Sequence, residues 1–227
     1  MGQTRTWMFR GLILATMAVV AGCAAPPVAA VPIKGSGAPQ AAATSALQPT
    51  VMLSLPDVRQ ATDYTCGPSA LQAALAYWGI EVREDELAKA AHTTSEDGSG
   101  RFALAKAARG YGVTATLVQP MGMPALEAAV RKGLPVIVAI QAWKDQPGIN
   151  YATDWDDGHY VVVIGFDKDH IYVEDPSILG SKGVMTRAEF LTRWHDEDTG
   201  PSDHYEQLGI IVEGKAHRPL PAFLHVD

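Results

Sequence analysis

The residues best suited to chemistry lie in the stretch YTCGPSALQAALAYWG, residues 64–79, where a cysteine directly precedes Gly-Pro. Apolar residues recur at helical spacing after Cys66 and predict a helix from Pro68 to Trp78, with Gly79 just past its end. Cys66 then lies at the helix N-terminus, where unpaired N–H groups and the helix dipole favour the reactive thiolate. Cys66 is therefore a candidate nucleophile, with a small buried core cysteine as the alternative.

A nucleophilic thiol needs a base, and the chain has seven histidines from which to choose. His159 alone opens a strongly hydrophobic strand, in GHYVVVIGFD, whereas the others fall in polar loops, at element ends or in the C-terminal tail. A rigid strand holds a general base in place while its ring faces the end of the sheet. We therefore predict His159 as the base.

Asp175, in IYVEDPS at the end of the next strand, is the candidate that would orient the base. A two-residue turn at Lys168-Asp169 would place Asp175 opposite Val162, on the wrong face for His159. A three-residue turn with a bulge would place it opposite Val161, diagonal to His159 and within reach. The pairing requires the second register; the alternative is an Asp-Pro that only ends a strand.

Gln60 lies upstream in RQATDYTC and carries an amide NH2 that can stabilise an oxyanion beside the thiol's own backbone N–H. A solvated loop glutamine is the alternative interpretation.

These residues need a scaffold, and the domain changes character along its length. Its first half is mainly helical in pattern, and its second half contains short Val/Ile-rich strands, of which the strand at 159–166 is apolar on both faces. The pattern predicts an α+β fold with the helices on one side of a mostly antiparallel sheet. The predicted helices are 68–78, 84–91, 101–109, 124–132 and 187–194, and the predicted strands are 113–118, 136–140, 159–166, 171–174 and 208–212.

Four motifs follow one another in an order that resembles a known family. They are Gln60, the Cys66-Gly67-Pro68 triplet, Gly158-His159-Tyr160 before a Val/Ile strand, and Asp175-Pro176. The family is that of the papain-like cysteine peptidases that process double-glycine bacteriocin leader peptides, cysteine peptidase family thirty-nine. The resemblance covers residues 55–215. It implies a papain-like fold in which Cys66 is the nucleophile, His159 the acid/base, Asp175 the orienter and Gln60 the oxyanion donor, acting on a peptide or protein.

Two features depart from that family's pattern. Its leader-processing members usually have Asp before the cysteine, whereas Thr65 stands here. They are also commonly fused to an ATP-driven exporter, whereas this sequence has no GxxxxGK[ST] phosphate loop. We therefore expect a stand-alone member whose export system, if it has one, is encoded separately.

The N-terminal residues predict export. Arg5 and Arg10 precede a short apolar run, LILATMAVV, which is typical of a secretory signal and too short to span a bilayer. The run ends in Val-Ala-Gly-Cys and resembles a lipobox, which implies a signal peptide over residues 1–22 and lipid attachment at Cys23; an ordinary signal peptide followed by a chance cysteine is the alternative. Ala24 follows, where Asp would suggest inner-membrane retention, so we expect the periplasmic face of the outer membrane.

Residues 23–50 are rich in Ala and Pro and lack the large apolar side chains needed for a core, which predicts a flexible tether before a folded domain at 51–227. The chain has two cysteines, so lipidated Cys23 leaves Cys66 without an intrachain disulfide partner. A formal net charge of −7 argues against nucleic-acid binding. No cofactor is expected, and no GxSxG, HExxH or CxxC motif supports another enzyme class.

Two acidic segments complete the candidates. Asp154-Trp155-Asp156-Asp157 lacks calcium-loop spacing, and we expect the loop 142–158 to shape access to the cleft, with Trp143 or Trp155 against it. His195-Asp196-Glu197-Asp198 suggests a metal site, but solvated charges after a helix are the favoured interpretation. For the whole domain, a catalytically silent peptide-binding lipoprotein and an acyl-transferase or transpeptidase using the same residues stay open as alternatives to a peptidase.

Overall fold

The structure is a computed structural model that describes residues 47–144, 148–198 and 200–215. The predicted signal peptide, Cys23 and nearly all of the tether lie outside these residues. The helices are α1 (Cys66–Tyr77), α2 (Glu84–Ala90), α3 (Arg101–Gly110), α4 (Gly122–Arg131) and α5 (Arg187–Arg193). The strands are β1 (Val51–Met52), β2 (Thr114–Val118), β3 (Val136–Gln141), β4 (Gly158–Phe166), β5 (His170–Glu174), β6 (Gly183–Thr186), β7 (His195–Glu197), β8 (His204–Glu206) and β9 (Gly209–Glu213).

An antiparallel sheet forms the centre of the fold, with strand order β2-β9-β3-β4-β5-β6 and β1 paired to the end of β4. Helices α1, α2 and α3 pack on one face, where Leu71, Leu75 and Leu104 are fully buried against sheet residues such as Val162 and Ile164. The predicted α+β class, with N-terminal helices on a mostly antiparallel sheet, is confirmed.

The opposite face of the sheet is also covered by helices, so the expectation of helices on one side only is wrong. Leu126 and Val130 of α4 and Phe190 of α5 pack there, beneath the alternate side chains of β3 and β4. Eight of the nine residues of β4 are buried. A strand that is apolar on both faces must have cover on both, so its own composition requires the second layer.

The β4–β5 hairpin resolves the register on which the pairing of His159 with Asp175 depends. Asp167 N–H donates to His170 O at 3.1 Å, which closes a two-residue turn rather than the expected three-residue one. The register then shifts between Val163 and Gly165, where Ile164 is the extra residue of a β-bulge. Val162 therefore pairs with Glu174, and continuing that register places Asp175 opposite Val161.

Gly165 has a packing reason within this bulged segment. A Cβ atom at this position would lie 2.5 Å from the Val51 carbonyl oxygen, because β1 runs against the end of β4 there. No helix within the described ranges 47–144, 148–198 and 200–215 is long and apolar enough to cross a membrane.

Candidate active site

Cys66 is the first residue of α1, which begins two residues earlier than the periodicity alone predicts. Its backbone N–H therefore has no partner within the helix and is free to point at a bound oxyanion. The side chain is 8% exposed, and the helix continues into Gly67, where a Cβ atom would lie 3.0 Å from Ser99 Oγ and 3.3 Å from a Tyr160 ring carbon. The glycine after the cysteine thus lets the helix start pack tightly against its neighbours.

His159 is the second residue of β4 and contacts two of the other predicted site residues. Its Nε2 atom lies 2.7 Å from Asp175 Oδ1, and both side chains are almost fully buried. Cys66 lies close enough to the ring to contribute to the raised pKa of His159. Because Nε2 faces the carboxylate, Nδ1 is the nitrogen available to the thiol.

Two further donors fix the Asp175 carboxylate. Ser177 N–H donates to Oδ1 at 2.8 Å, and the Trp143 indole N–H donates to Oδ2 at 3.1 Å. Trp143 has a φ of 66°, a left-handed conformation that is unfavourable for a bulky residue and is often found at functional sites. With these contacts, the carboxylate presents Oδ1 to His159 in one orientation.

The charges of the pair follow from these contacts. Burial opposes charge on the imidazole, but the hydrogen bonds and charges of Asp175 and Cys66 outweigh it and raise the pKa of His159 to about 9. Burial likewise favours protonated Asp175, but the contact with His159, assisted by Ser177 and Trp143, lowers the pKa of this carboxyl below its usual value. At neutral pH the arrangement is an imidazolium between a carboxylate and a cysteine.

Gln60 is held beside this group rather than left as a solvated loop residue. Its backbone N–H donates to Pro176 O at 3.0 Å, and its side-chain oxygen accepts from Ser177 Oγ at 3.2 Å. The amide nitrogen donates one hydrogen to Thr62 O at 2.8 Å. Its second hydrogen is therefore available to another acceptor, as the role of oxyanion donor requires.

Thr65, which replaces the Asp usual before the cysteine, acts on the same turn. Its hydroxyl accepts from Thr62 N–H at 3.1 Å and shares a hydrogen bond with Thr62 Oγ1 at 2.9 Å. Because Thr62 O receives the Gln60 amide, Thr65 supports the turn that orients Gln60. A neutral side chain thus serves this turn, and no carboxylate stands beside Cys66 at position 65.

An open cleft of about 400 Å³ adjoins Cys66. Its walls come from the turn before α1, the loop 95–99, the end of the loop 142–158, and β7. Trp155 lines this cleft and stacks on His204 with ring centroids 3.8 Å apart. Trp143, the donor to Asp175 Oδ2, lines a separate pocket of about 400 Å³. Of the two tryptophans of the loop, Trp155 is therefore the one that lies against the cleft beside Cys66.

The segment His195-Asp196-Glu197-Asp198 differs from its expected description as solvated charges after a helix. Residues 195–197 form β7, which pairs with β8, and both His195 and Asp196 are buried. No group of three or more His, Cys, Asp or Glu suited to a metal ion occurs within the described part of the chain.

Sequence reasoning missed two positions that bear on the site. Ser177 contributes a backbone N–H, which carries no sequence signal beyond following Asp-Pro. Asp196 lies in a charged run that is typical of a loop, and only the pairing of β7 with β8 reveals that it is buried. Asp156, next to the GHYVVV strand, was visible in the sequence, but its place in the same cleft as Cys66 depends on long-range packing.

Comparisons with known proteins agree with this architecture. The profile described as "Peptidase_C39 like family" matches residues 52–199. An uncharacterized protein of Methanothermobacter marburgensis is 30% identical over 121 residues, which cover 53% of this chain and 71% of that protein.

Solved structures are similar at the level of the fold. A putative C39-like peptidase from Bacillus anthracis has a TM-score of 0.55 at 20% identity, covering 74% of this chain and 98% of that one. The peptidase domain of Streptococcus ComA, a bifunctional ABC transporter, has a TM-score of 0.52 at 21% identity, covering 70% and 97%. A double glycine motif protease from an AMS/PCAT transporter, solved with its leader peptide, has a TM-score of 0.51 at 23% identity, covering 74% and 99%.

Proposed function

Because this chain belongs to the Peptidase_C39 like family, we propose that it is a cysteine peptidase whose nucleophile is Cys66. The observation that carries the proposal is the buried pair of His159 and Asp175, whose Nε2 and Oδ1 atoms lie 2.7 Å apart, with Cys66 close enough to raise the pKa of the histidine. A histidine that is charged, buried and held between a thiol and a carboxylate is the arrangement a cysteine nucleophile requires. A purely structural cysteine needs none of these partners.

The reaction begins with attack of the Cys66 thiolate on a peptide carbonyl carbon. The carbonyl π electrons move to oxygen, and this oxyanion accepts hydrogen bonds from the Cys66 N–H and the Gln60 amide. His159 then transfers its Nδ1 proton to the amide nitrogen, the C–N bond breaks, and the amine product leaves a thioester on Cys66. This step uses the proton that the raised pKa of His159 keeps on the ring.

Water completes the cycle. Neutral His159 accepts a proton from a water molecule at Nδ1, and the resulting hydroxide attacks the thioester carbon. The C–S bond then breaks, which releases the carboxylic acid and restores the Cys66 thiolate beside protonated His159. Asp175 keeps its charge throughout and stabilises the imidazolium at each stage. An amine in place of water would make the same thioester a transpeptidase intermediate, and product analysis by mass spectrometry separates the two.

The substrate we propose is a peptide or protein segment bound in extended form across the cleft. The leader peptide bound to the AMS/PCAT protease of similar fold supports a peptide ligand for this fold. Thr65 in place of the family's Asp leaves the double-glycine leader as one candidate among exported peptides. We further propose that lipid at Cys23 anchors the enzyme to the outer membrane, facing the periplasm.

The test combines thiol labelling with turnover. In the native full chain, Cys66 should react with iodoacetamide at neutral pH, and a peptide library digest should contain cleavage products that disappear in the Cys66→Ala variant. The Cys66→Ala variant should still bind the cleaved peptides. A thiol that labels only after unfolding would overturn the proposal, and peptide binding without cleavage by the wild type would identify the binding-protein alternative.

A further inference from the structure

The cleft beside Cys66 is strongly acidic. Seven of its sixteen lining residues are carboxylates and none is basic. They come from four separate segments of the chain, so no single charged run produces the concentration. The carboxylates are Asp63, Glu96, Asp97, Asp156, Asp196, Glu197 and Asp198.

Some of this charge is neutralised within the protein. Asp198 forms an ion pair with Arg101 at 2.8 Å, and Glu197 lies 2.6 Å from His204 Nε2. Within the described residues, the other five carboxylates have no recorded ion pair with a basic side chain. The cleft walls therefore keep an excess of negative charge next to the thiol, and a concave wall of low polarizability concentrates that field.

Asp196 points to a ligand independently of the number of acids. It is 6% exposed, yet it lines the cleft, and its two recorded donors are both uncharged and both reach Oδ1. These donors are Gln141 Nε2 at 3.1 Å and Glu197 N–H at 2.9 Å. No donor to Oδ2 is recorded from the described part of the chain, and this oxygen belongs to a carboxyl more than nine-tenths buried.

The backbone is shaped to admit this carboxylate next to His159. A Cβ atom on Gly158 would lie 2.3 Å from Asp196 Oδ1 and 2.5 Å from Oδ2, so only glycine leaves the necessary space. Burial without a cationic neighbour, together with the charges of Asp198 and Glu197, raises the pKa of Asp196 to about 7. A cation in the cleft would supply the charge that this carboxylate lacks.

We propose that the cleft binds a lysine or arginine side chain of the substrate, with its cationic group on Asp196 and the exposed carboxylates of the rim around it. The proposal rests on the peptidase function and adds a substrate class to it: peptides with a basic residue close to the cleaved bond. A basic side chain satisfies both findings, since it brings hydrogen-bond donors to Oδ2 and a positive charge to the acidic walls. A structural carboxyl that only ties β7 to Gln141 is the competing role.

The first experiment measures charge selectivity at the thiol, with no need for turnover. Two thiol reagents of equal size, a trimethylammonium and a sulfonate methanethiosulfonate, are compared on the native full chain and on glutathione. We expect the ratio of the cationic reagent's rate to the anionic reagent's rate to be at least about tenfold higher for Cys66 than for glutathione. Tenfold is the lower end of the rate enhancement that an acidic cleft gives to a cation. Asp196→Asn should reduce this preference several-fold. Asp169→Asn, which removes the same charge from the exposed β4–β5 turn, should leave it unchanged.

The second experiment measures peptide binding through protection of Cys66. Capped hexapeptide pools with one fixed lysine, norleucine or glutamate compete with iodoacetamide. The lysine pool should protect at roughly tenfold lower concentration than the norleucine pool, a difference of about 1.4 kcal/mol. Asp196→Asn should remove most of that difference. If Asp196→Asn fails to fold, the second variant is the double substitution Glu96→Gln with Asp97→Asn, which lies on an exposed loop away from the core.

The outcomes separate this inference from the peptidase proposal. Protection by the lysine pool without cleavage would leave the inference standing and overturn the peptidase function. Cleavage with equal protection by lysine and norleucine pools, or a preference unchanged in both cleft variants, would overturn the inference alone.

Discussion

His159 Nε2 and Asp175 Oδ1 lie 2.7 Å apart although the turn joining their strands has the two-residue form that would separate them. One extra residue in β4, Ile164, corrects the register between that turn and the site. The bulge therefore produces the register that a three-residue turn with a bulge was expected to produce, with Asp175 on the same face as His159. Because side chains alternate across a strand, a shift of one residue decides whether the aspartate faces the histidine or the opposite side of the sheet.

This pair predicts the pH dependence of the proposed peptidase activity. In the proposed mechanism His159 carries the proton for the leaving amine, and its pKa of about 9 therefore sets an alkaline limit to kcat/KM near that pH. In Asp175→Asn the main contact that raises this pKa is lost while burial still lowers it, so the limit should move to lower pH. The measurement is kcat/KM against pH, supported by NMR titration of the His159 Cε1 proton.

A matched variant tests the specificity of that effect. Asp169→Asn removes one carboxylate from the exposed turn of the same hairpin and should leave the alkaline limit in place. An unchanged limit in Asp175→Asn would mean that a group other than His159 sets it. A low activity of either variant does not affect the test, because the result is the pH at which kcat/KM falls and not the maximum value of kcat/KM.

Local patterns predict the helices and the central strands well, since each has its own apolar periodicity and turn residues. They also make Cys66, His159 and Asp175 candidates, because each lies at the end of a predicted element, whereas Gln60 is a candidate only from its place upstream of Cys66. The route by which Asp175 meets His159 is different. Val and Ile satisfy both registers equally well, so the only local signal for the bulge is Gly165, because a glycine inside a strand often marks a bulge or a close backbone approach.

The short strands β6, β7 and β8 escaped prediction for a related reason. Their residues are polar or mixed, and tertiary contacts rather than alternation make them strands. Asp196 is the most consequential example, since its burial comes from pairing with Tyr205 across the β7–β8 hairpin and from the space above Gly158. Charge in the sequence indicated solvent, whereas packing places it beside the thiol.

Gln60 should contribute to catalysis through the transition state rather than through substrate affinity. Gln60→Ala removes one donor to the oxyanion, and we expect kcat to fall by about 10²–10³-fold with KM changed little. Gln72→Ala is the matched control, because Gln72 Nε2 donates to a loop carbonyl, Val82 O, at 2.8 Å, as Gln60 does to Thr62 O. The control should lose about 1 kcal/mol of stability and keep its kcat. Equal losses of kcat in both variants would assign Gln60 a structural role only.

Gly158 should be intolerant of any side chain as long as Asp196 is present. Gly158→Ala places a methyl group 2.3 Å from Asp196 Oδ1, so we expect a loss of about 1–3 kcal/mol in the free energy of unfolding. Asp196→Ala opens that space, and the double variant should recover most of the cost of the methyl group. Urea denaturation of the wild type, both single variants and the double variant gives the coupling energy.

Gly110→Ala is the reference for this cycle. A Cβ atom there meets nothing within 4 Å, and the residue lies within helix α3, where alanine is favoured over glycine. This variant should be as stable as the wild type or more so. A Gly158→Ala protein of wild-type stability, or two additive single effects, would show that Asp196 does not occupy the space beside Gly158.

We expect Cys23 to anchor the protein to the membrane and Cys66 to act as the nucleophile, with neither role depending on the other cysteine. We expect metabolic labelling with an alkyne fatty acid to modify the wild type and Cys66→Ser but not Cys23→Ser, since Cys66 is the only other thiol in the chain. Membrane fractionation should place the wild type in the outer membrane and Cys23→Ser outside the membrane fraction. If Cys23 is the lipid site, Ala24→Asp should move the labelled protein to the inner membrane, since Asp after the cysteine is the residue that suggests inner-membrane retention. Fatty-acid label retained by Cys23→Ser would overturn the assignment of Cys23, and release of Cys66→Ser from the membrane would show that the two roles are not separate.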